Sequence, residues 1–270
     1  MVVGGGLAAS TGDFATLPFL AALLGALWIQ IGTNFANDYS DFVRGADTEE
    51  RKGSMRVTQS GLLSPESVRF AAGVSFGIAM AFGVYLVTRG GWPIVGIGLA
   101  SIIAGVCYTG GPWPFGYHGL GDLFVFVFFG PVAVAGTVYV QTLEWRPDTL
   151  LAGAAVGALT TAILVVNNLR DRPTDAAAGK RTLAVLIGDR ATRAQYVALL
   201  LVAAAIPAIG IATAGWPRAT LLAMLALLTA VGPARAVFRH DDPRDLNVVL
   251  VGTAKVAGLY GLAFAVGCLI

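Results

Sequence analysis

Charge is scarce in this chain. Only 13% of its 270 residues are Asp, Glu, Lys or Arg, against roughly 25% in soluble domains. With 56% hydrophobic residues and a mean hydropathy of +0.73, a soluble fold is excluded and an integral membrane protein follows. Cysteine is nearly absent: Cys107 and Cys268 stand singly in apolar runs, which excludes a disulfide framework and suits small buried hydrophobes. Histidine is as rare, and His118 and His240 lie far apart without ligand spacing, so neither is read as a metal ligand. The net charge of +2 comes with no basic stripe interleaved with aromatics, which gives nucleic acid nothing to bind. The apolar runs do not alternate polar and apolar residues, so a transmembrane β-barrel is excluded too. Residues 1–9 are apolar but too short to span, and they lack the basic start and small-residue cleavage site of a signal peptide. They are read as the end of a first helix whose beginning is missing from this sequence.

Long hydrophobic runs are what remains. Eight of them, at about 17–36, 67–88, 93–109, 120–141, 149–168, 195–214, 217–236 and 247–269, approach the ~20 residues that a helix needs to cross a ~30 Å hydrocarbon layer. With no water to satisfy backbone amides in lipid, such runs must be helical. The expected fold is therefore an all-α integral membrane bundle of eight full spans plus a partial first helix, with 1–270 forming a single transmembrane domain. If spans and loops alternate, one side carries fourteen of the eighteen Lys and Arg and the other carries three, with Lys255 inside the last span. The rich side is expected to be cytoplasmic.

Two polar clusters break this pattern. Asn37-Asp38-Tyr39-Ser40-Asp41 is followed by Asp47, and Asn167-Asn168-Leu169-Arg170-Asp171 is followed by Asp175. Each ends an apolar run, and the second ends the fourth span after the first, so both emerge on the cation-rich face and a parallel internal repeat fits. Asn37 and Asp41 are spaced i, i+4; Asn167, Asp171 and Asp175 continue that spacing for another turn, so each set projects from one side of a helix. Pro173 lies within the second set and makes a helix end or turn at Asp175 an alternative. Helix-end Asp and Asn commonly serve as caps or solvated loop residues; two matched clusters on one face favour a shared site instead.

Four carboxylates at the membrane edge, Asp41, Asp47, Asp171 and Asp175, repel one another and need a cation. Hard oxygen donors without His or Cys suit Mg²⁺, which takes one or two carboxylates and completes its shell with water and phosphate oxygens. Gly179-Lys180-Arg181-Thr182 beside the second cluster, and Arg51, Lys52 and Arg56 beside the first, are cations able to take up charge on diphosphate oxygens. The residues thus point to a diphosphate held between two carboxylate ladders. An ion-coupled secondary transporter is the alternative from another class, although it would place its acids near the bilayer midplane at broken helices.

These strings resemble the UbiA superfamily of membrane prenyltransferases, from about Gly4 to the C-terminus: NDYSD with RGAD, and NNLRDRPTDAAAGKRTLAVLIG. The GKRTLAV string and YTGGPWPFGYHGLG at 108–121 are similar to the branch that prenylates 1,4-dihydroxy-2-naphthoate in menaquinone synthesis. One departure from the family is that its basic N-terminal segment and most of the first helix are absent. The resemblance implies nine helices in two four-helix halves plus one. It implies metal-binding roles for Asn37, Asp41, Asp47, Asn167, Asp171 and Asp175, with Asp41, Asp171 and Asp175 central to catalysis. Lys180, Arg181 and Arg56 would touch diphosphate, and Tyr108 and Asp122 would belong to a cap or acceptor region. Phe124, Phe126, Phe128 and Phe129 are candidates to line the isoprenoid tail. The implied reaction joins a polyprenyl diphosphate to dihydroxynaphthoate with loss of CO₂ and diphosphate, using Mg²⁺ in the cell membrane with the site facing the cytoplasm. Another aromatic acceptor, such as 4-hydroxybenzoate or a porphyrin, is the alternative within the family.

Overall fold

The computed structural model describes residues 1–46, 53, 56–239 and 242–270. Among the described residues all regular structure is helical. The short α1 (Val2–Ala9) is followed by α2 (Thr16–Val43), α3 (Pro65–Gly90) and α4 (Trp92–Cys107). After a connection come α5 (Gly121–Thr142), α6 (Asp148–Ala177), α7 (Leu183–Ala214), α8 (Arg218–Arg239) and α9 (Pro243–Gly267).

Seven of these helices, α2, α3 and α5 to α9, are long and apolar enough to cross a membrane. The apolar run expected at 93–109 forms α4, Trp92–Cys107, the shortest of the eight. Helix α4 has 16 residues, about 24 Å at 1.5 Å per residue. It ends where the chain turns at Thr109-Gly110-Gly111, with Gly111 at a φ of +73° that side chains rarely adopt.

Local chemistry sets the other boundaries. Ser64 caps α3 by accepting the Ser67 amide at 3.2 Å, and Pro65 occupies the first helical position, where its missing amide costs nothing. Helix α7 breaks at Gly188 (φ 80°), so a short stretch with Leu186 and Ile187 exposed precedes the long apolar run. Helix α5 widens into a π-turn over 128–132 that contains Gly130 and Pro131; the proline has no amide to place in a regular ladder.

Helix α6 is the hub. Its most apolar stretch is 61% buried, against 33% or less in every other span, because it packs on α5, α7 and α9. In the first half α2 packs on α3 and α4, while α1 is buried between α5 and α9. Helices α2 and α6 thus each lead a half, and each carries a polar cluster at its C-terminal end.

Small residues let α5 and α6 touch backbone to backbone, the usual basis of helix contact in lipid. A Cβ added to Gly153 would fall 2.5 Å from Pro131 Cα and 2.7 Å from Pro131 N. In an ordinary helix Gly→Ala adds stability of up to about 1 kcal/mol. Here Gly153→Ala is expected to reverse that sign, costing about 1–3 kcal/mol by overpacking, as a lowered unfolding midpoint in detergent would show.

Candidate active site

The ends of α2 and α6 meet through the segment that follows α6. Pro173 does not stop α6, which continues to Ala177, so the i, i+4 spacing holds through Asp175, which sits at the helix end in the last turn. Gly179 then takes a φ of +73°, and the chain folds back so that the Lys180 amide donates to the Asp175 carbonyl at 2.8 Å. That turn aims the Lys180 ammonium at the other cluster, 3.7 Å from Asp41 Oδ2. Arg56 Nη2 stands 3.6 Å from the same oxygen. Asp41 is only 2% exposed, and two cations at that range stabilise its charge where water does not.

The other oxygen of Asp41 has a partner that the sequence did not reveal. Tyr117 Oη donates to Asp41 Oδ1 at 2.8 Å. The Tyr117 carbonyl accepts the Arg181 amide at 3.1 Å, and its ring faces both Lys180 Nζ (5.1 Å) and the Arg44 guanidinium (5.6 Å), within cation–π range. Tyr117 therefore connects the α4–α5 connection, the first cluster and the Lys180 segment. Its only sequence signal was membership of the aromatic, glycine-rich string at 108–121. Arg181 contributes its backbone amide here, and its side chain is exposed.

In the second cluster the expected ladder of open oxygens is already engaged. Arg170 donates from Nε (2.8 Å) and Nη2 (2.6 Å) to the two oxygens of Asp171. The same Nη2 donates to Asn167 Oδ1 at 2.8 Å, and Nη1 donates to Asn247 Oδ1 of α9 at 2.8 Å. Arg170 and Asp171 are buried, at 4% and 8% exposed. The chain after the first cluster lies against this pair: a Cβ on Gly53 would fall 2.5 Å from Arg170 Nη2. Arg170 and Asp171 share one sequence motif, but only the fold shows that the cation neutralises its neighbour.

Other members of the first cluster hold the surrounding chain. Asp38 accepts the amides of Val57 (3.1 Å) and Thr58 (3.4 Å), and Asn37 Oδ1 accepts the Thr109 hydroxyl at 2.9 Å. Asp47, with Arg51 and Lys52, lies outside the described residues.

Behind the polar face lies an apolar chamber of about 640 Å³ between α2, α3, α4 and α5, with Thr33 and Tyr108 among its walls. That volume is in the range of ligand-binding cavities. Phe124, Phe128 and Phe129 line it; Phe126 does not, because it packs on α6 at Gly157. Met80, Val84 and Leu99 on its wall are each more than half exposed, so the chamber is open sideways, where lipid lies. Burial above all pushes the Tyr108 phenol up from its ordinary value, so it stays protonated. Asp122 does not line the chamber; it is buried beside it, bonded to Gln195.

The UbiA prenyltransferase family matches residues 1–259. The chain belongs to this family. It is 41% identical to the 1,4-dihydroxy-2-naphthoate octaprenyltransferase of Mycobacterium tuberculosis, over 98% of this chain and 89% of that protein. It is 38% identical to the enzyme of the same name from Escherichia coli, over 99% and 89%. Its fold matches a UbiA homolog from Aeropyrum pernix (TM-score 0.70, 13% identity, 96% of each chain). A UbiA homolog from Archaeoglobus fulgidus, solved with GPP and Mg²⁺, matches at a TM-score of 0.67 with 14% identity, over 99% of this chain and 95% of that one. The chain is thus a multi-pass membrane enzyme with a UbiA-like fold.

The residues present fit a magnesium ion. The donors at both helix ends are oxygens alone, from Asn37, Asp41, Asn167, Asp171 and Asp175. Among the described residues no three His, Cys, Asp or Glu stand close enough to hold a metal ion by themselves. Mg²⁺ asks for only one or two protein carboxylates, since it keeps several waters and binds substrate phosphates, so Arg170, Lys180 and Arg56 would have to share these oxygens with it.

Proposed function

We propose that this UbiA family member transfers a polyprenyl group from a polyprenyl diphosphate to 1,4-dihydroxy-2-naphthoate, with loss of diphosphate and CO₂, giving demethylmenaquinol. The site would face the cytoplasm from the cell membrane, the side favoured by the distribution of Lys and Arg. The observation that carries the reading is Lys180: its amide is fixed to Asp175 and its ammonium faces Asp41, so one residue gathers both clusters around a space next to an apolar chamber. A diphosphate with a long hydrocarbon tail has that same polarity from end to end. The naming of relatives at 41% and 38% identity supports the acceptor.

The tail occupies the chamber between α2 and α5, and Tyr108 stands at its wall near the diphosphate end. Asp41, Asp171 and Asp175, with Asn37 and Asn167, would hold Mg²⁺, and Asp47 is proposed as a further acidic partner. When bound, Mg²⁺ supplies charge that stabilises the departing diphosphate. Lys180 and Arg56 supply more of the same charge from fixed positions, and Arg181 is proposed to reach the diphosphate from its exposed place. The allylic C–O bond breaks and its electron pair leaves with the diphosphate. The apolar walls keep water from the carbocation that remains. The ring carbon bearing the carboxylate then forms a bond to C1 of the prenyl chain, and the C–CO₂ bond breaks to return its pair to the ring.

Purified protein given one polyprenyl diphosphate and a panel of aromatic acids is expected to yield, by mass, the decarboxylated naphthol product from dihydroxynaphthoate alone. EDTA is expected to stop turnover and Mg²⁺ to restore it. Product formed from 4-hydroxybenzoate instead would overturn the acceptor, and turnover indifferent to chelation would overturn the metal.

A further inference from the structure

One buried acid takes no part in the site as described so far. Asp122, in the first turn of α5, is 7% exposed. Its Oδ1 accepts Gln195 Nε2 of α7 at 3.2 Å. The remaining polar atom of each group, Asp122 Oδ2 and Gln195 Oε1, is buried without a hydrogen-bond partner. The first turn of α5 offers amides to an anion, and the Asp122 carboxylate receives its own backbone amide, yet Oδ2 is left without a partner. Near it stand Gln195 from α7, Thr161 of α6, whose hydroxyl donates to the Asp122 carbonyl at 3.5 Å, and Tyr108 from the α4–α5 connection. No Lys or Arg among the described residues pairs with Asp122.

Two acceptors left over from one hydrogen-bonded pair are both satisfied by a single proton. A carboxylic acid and a carboxamide each carry one donor and one acceptor on the same edge, and side by side they close two hydrogen bonds. An ionised carboxylate here would leave a charged oxygen buried with neither donor nor cation, the costliest arrangement for such a group.

We propose that Asp122 is held as the neutral carboxylic acid, its Oδ2 hydroxyl donating to Gln195 Oε1, and that this clamp positions Tyr108 at the chamber wall. Gly121, the residue before Asp122, lies against the Tyr108 ring so closely that a Cβ would fall 2.9 Å from its Oη. Any shift at the start of α5 therefore moves the phenol. Gln195 stands on the helix that follows the Lys180-Arg181 segment, so the clamp also ties the α4–α5 connection to the element that brings Lys180 to Asp41. Asp122 acts through Tyr108, as a positioning residue.

Asparagine presents an amide donor where the acid presents its hydroxyl. Asp122→Asn is thus expected to keep kcat and KM for prenyl transfer within about twofold of wild type. Asp122→Leu, of similar size but without either bond, is expected to lose about a hundredfold in kcat by displacing the site. In the infrared difference spectrum, wild type minus Asp122→Asn, the carbonyl stretch of a protonated carboxylic acid is expected as the missing band. An Asp122→Asn protein as inactive as Asp122→Leu would overturn the proposal, and so would a difference spectrum showing an ionised carboxylate. If Asp122→Leu fails to fold, the asparagine variant and its spectrum decide alone. The proposal rests on the prenyl-transfer reading only for its kinetic arm, since the spectrum is recorded without substrate.

Discussion

Asp41→Asn is expected to lower kcat/KM for prenyl transfer by about a thousandfold, with helical content and membrane insertion unchanged. Asparagine keeps the shape and still offers an oxygen to Tyr117 Oη, whose bond to Asp41 is 2.8 Å. What it removes is the charge. Lys180 and Arg56, at 3.7 and 3.6 Å from one carboxylate oxygen, would face each other without an anion between them. The donor set from the first half of the bundle would lose its one carboxylate among the described residues placed by these contacts. A group that acts on charge developing at a leaving diphosphate is needed most in the transition state, so the loss should fall on kcat more than on KM. Steady-state kinetics with a purified, circular-dichroism-checked variant measure this. Activity within tenfold of wild type would remove Asp41 from the machinery.

The second large effect concerns stability. Arg170→Ala leaves Asp171 buried without the Arg170 cation, and it also removes the Arg170 hydrogen bonds to Asn167 Oδ1 and Asn247 Oδ1. Breaking a buried pair from one side costs about 3–5 kcal/mol, so the variant should show a lower unfolding midpoint in detergent and a poor yield of folded protein. Replacing both members, Arg170→Leu with Asp171→Leu, takes away the uncompensated charge, and apolar replacements of a buried pair are often neutral. The double variant is therefore expected to regain much of the lost stability while remaining inactive, because a carboxylate of the second ladder is gone. A double variant no more stable than Arg170→Ala would show that the pair does not govern the fold at this helix end.

The polar clusters were legible because an oily chain makes every carboxylate conspicuous, and the i, i+4 spacing within each survives into α2 and α6 unchanged. Helical class and the shared face followed from run length and cation distribution alone. Tyr117 was not legible, since its value lies in touching Asp41, Lys180, Arg44 and Arg181 at once, and those residues are distant along the chain. Arg170 could be seen but not interpreted: a cation inside an acidic motif can face a phosphate or its own neighbour, and only packing against Asn247 and Gly53 decides. Phe126 shows the same limit, being as aromatic as Phe124 and Phe128 but turned toward α6 by helical phase.

The sideways opening beside Met80, Val84 and Leu99 changes what concentration means for this protein. A lipid-tailed reactant that enters there never crosses the aqueous phase; it arrives by diffusion within a two-dimensional sheet, and the product departs into that same sheet. Half-saturation for the tailed reactant is then a mole fraction of the surrounding amphiphile. Adding empty detergent micelles or vesicles should slow turnover by surface dilution, even while the bulk molarity of every reagent is held fixed.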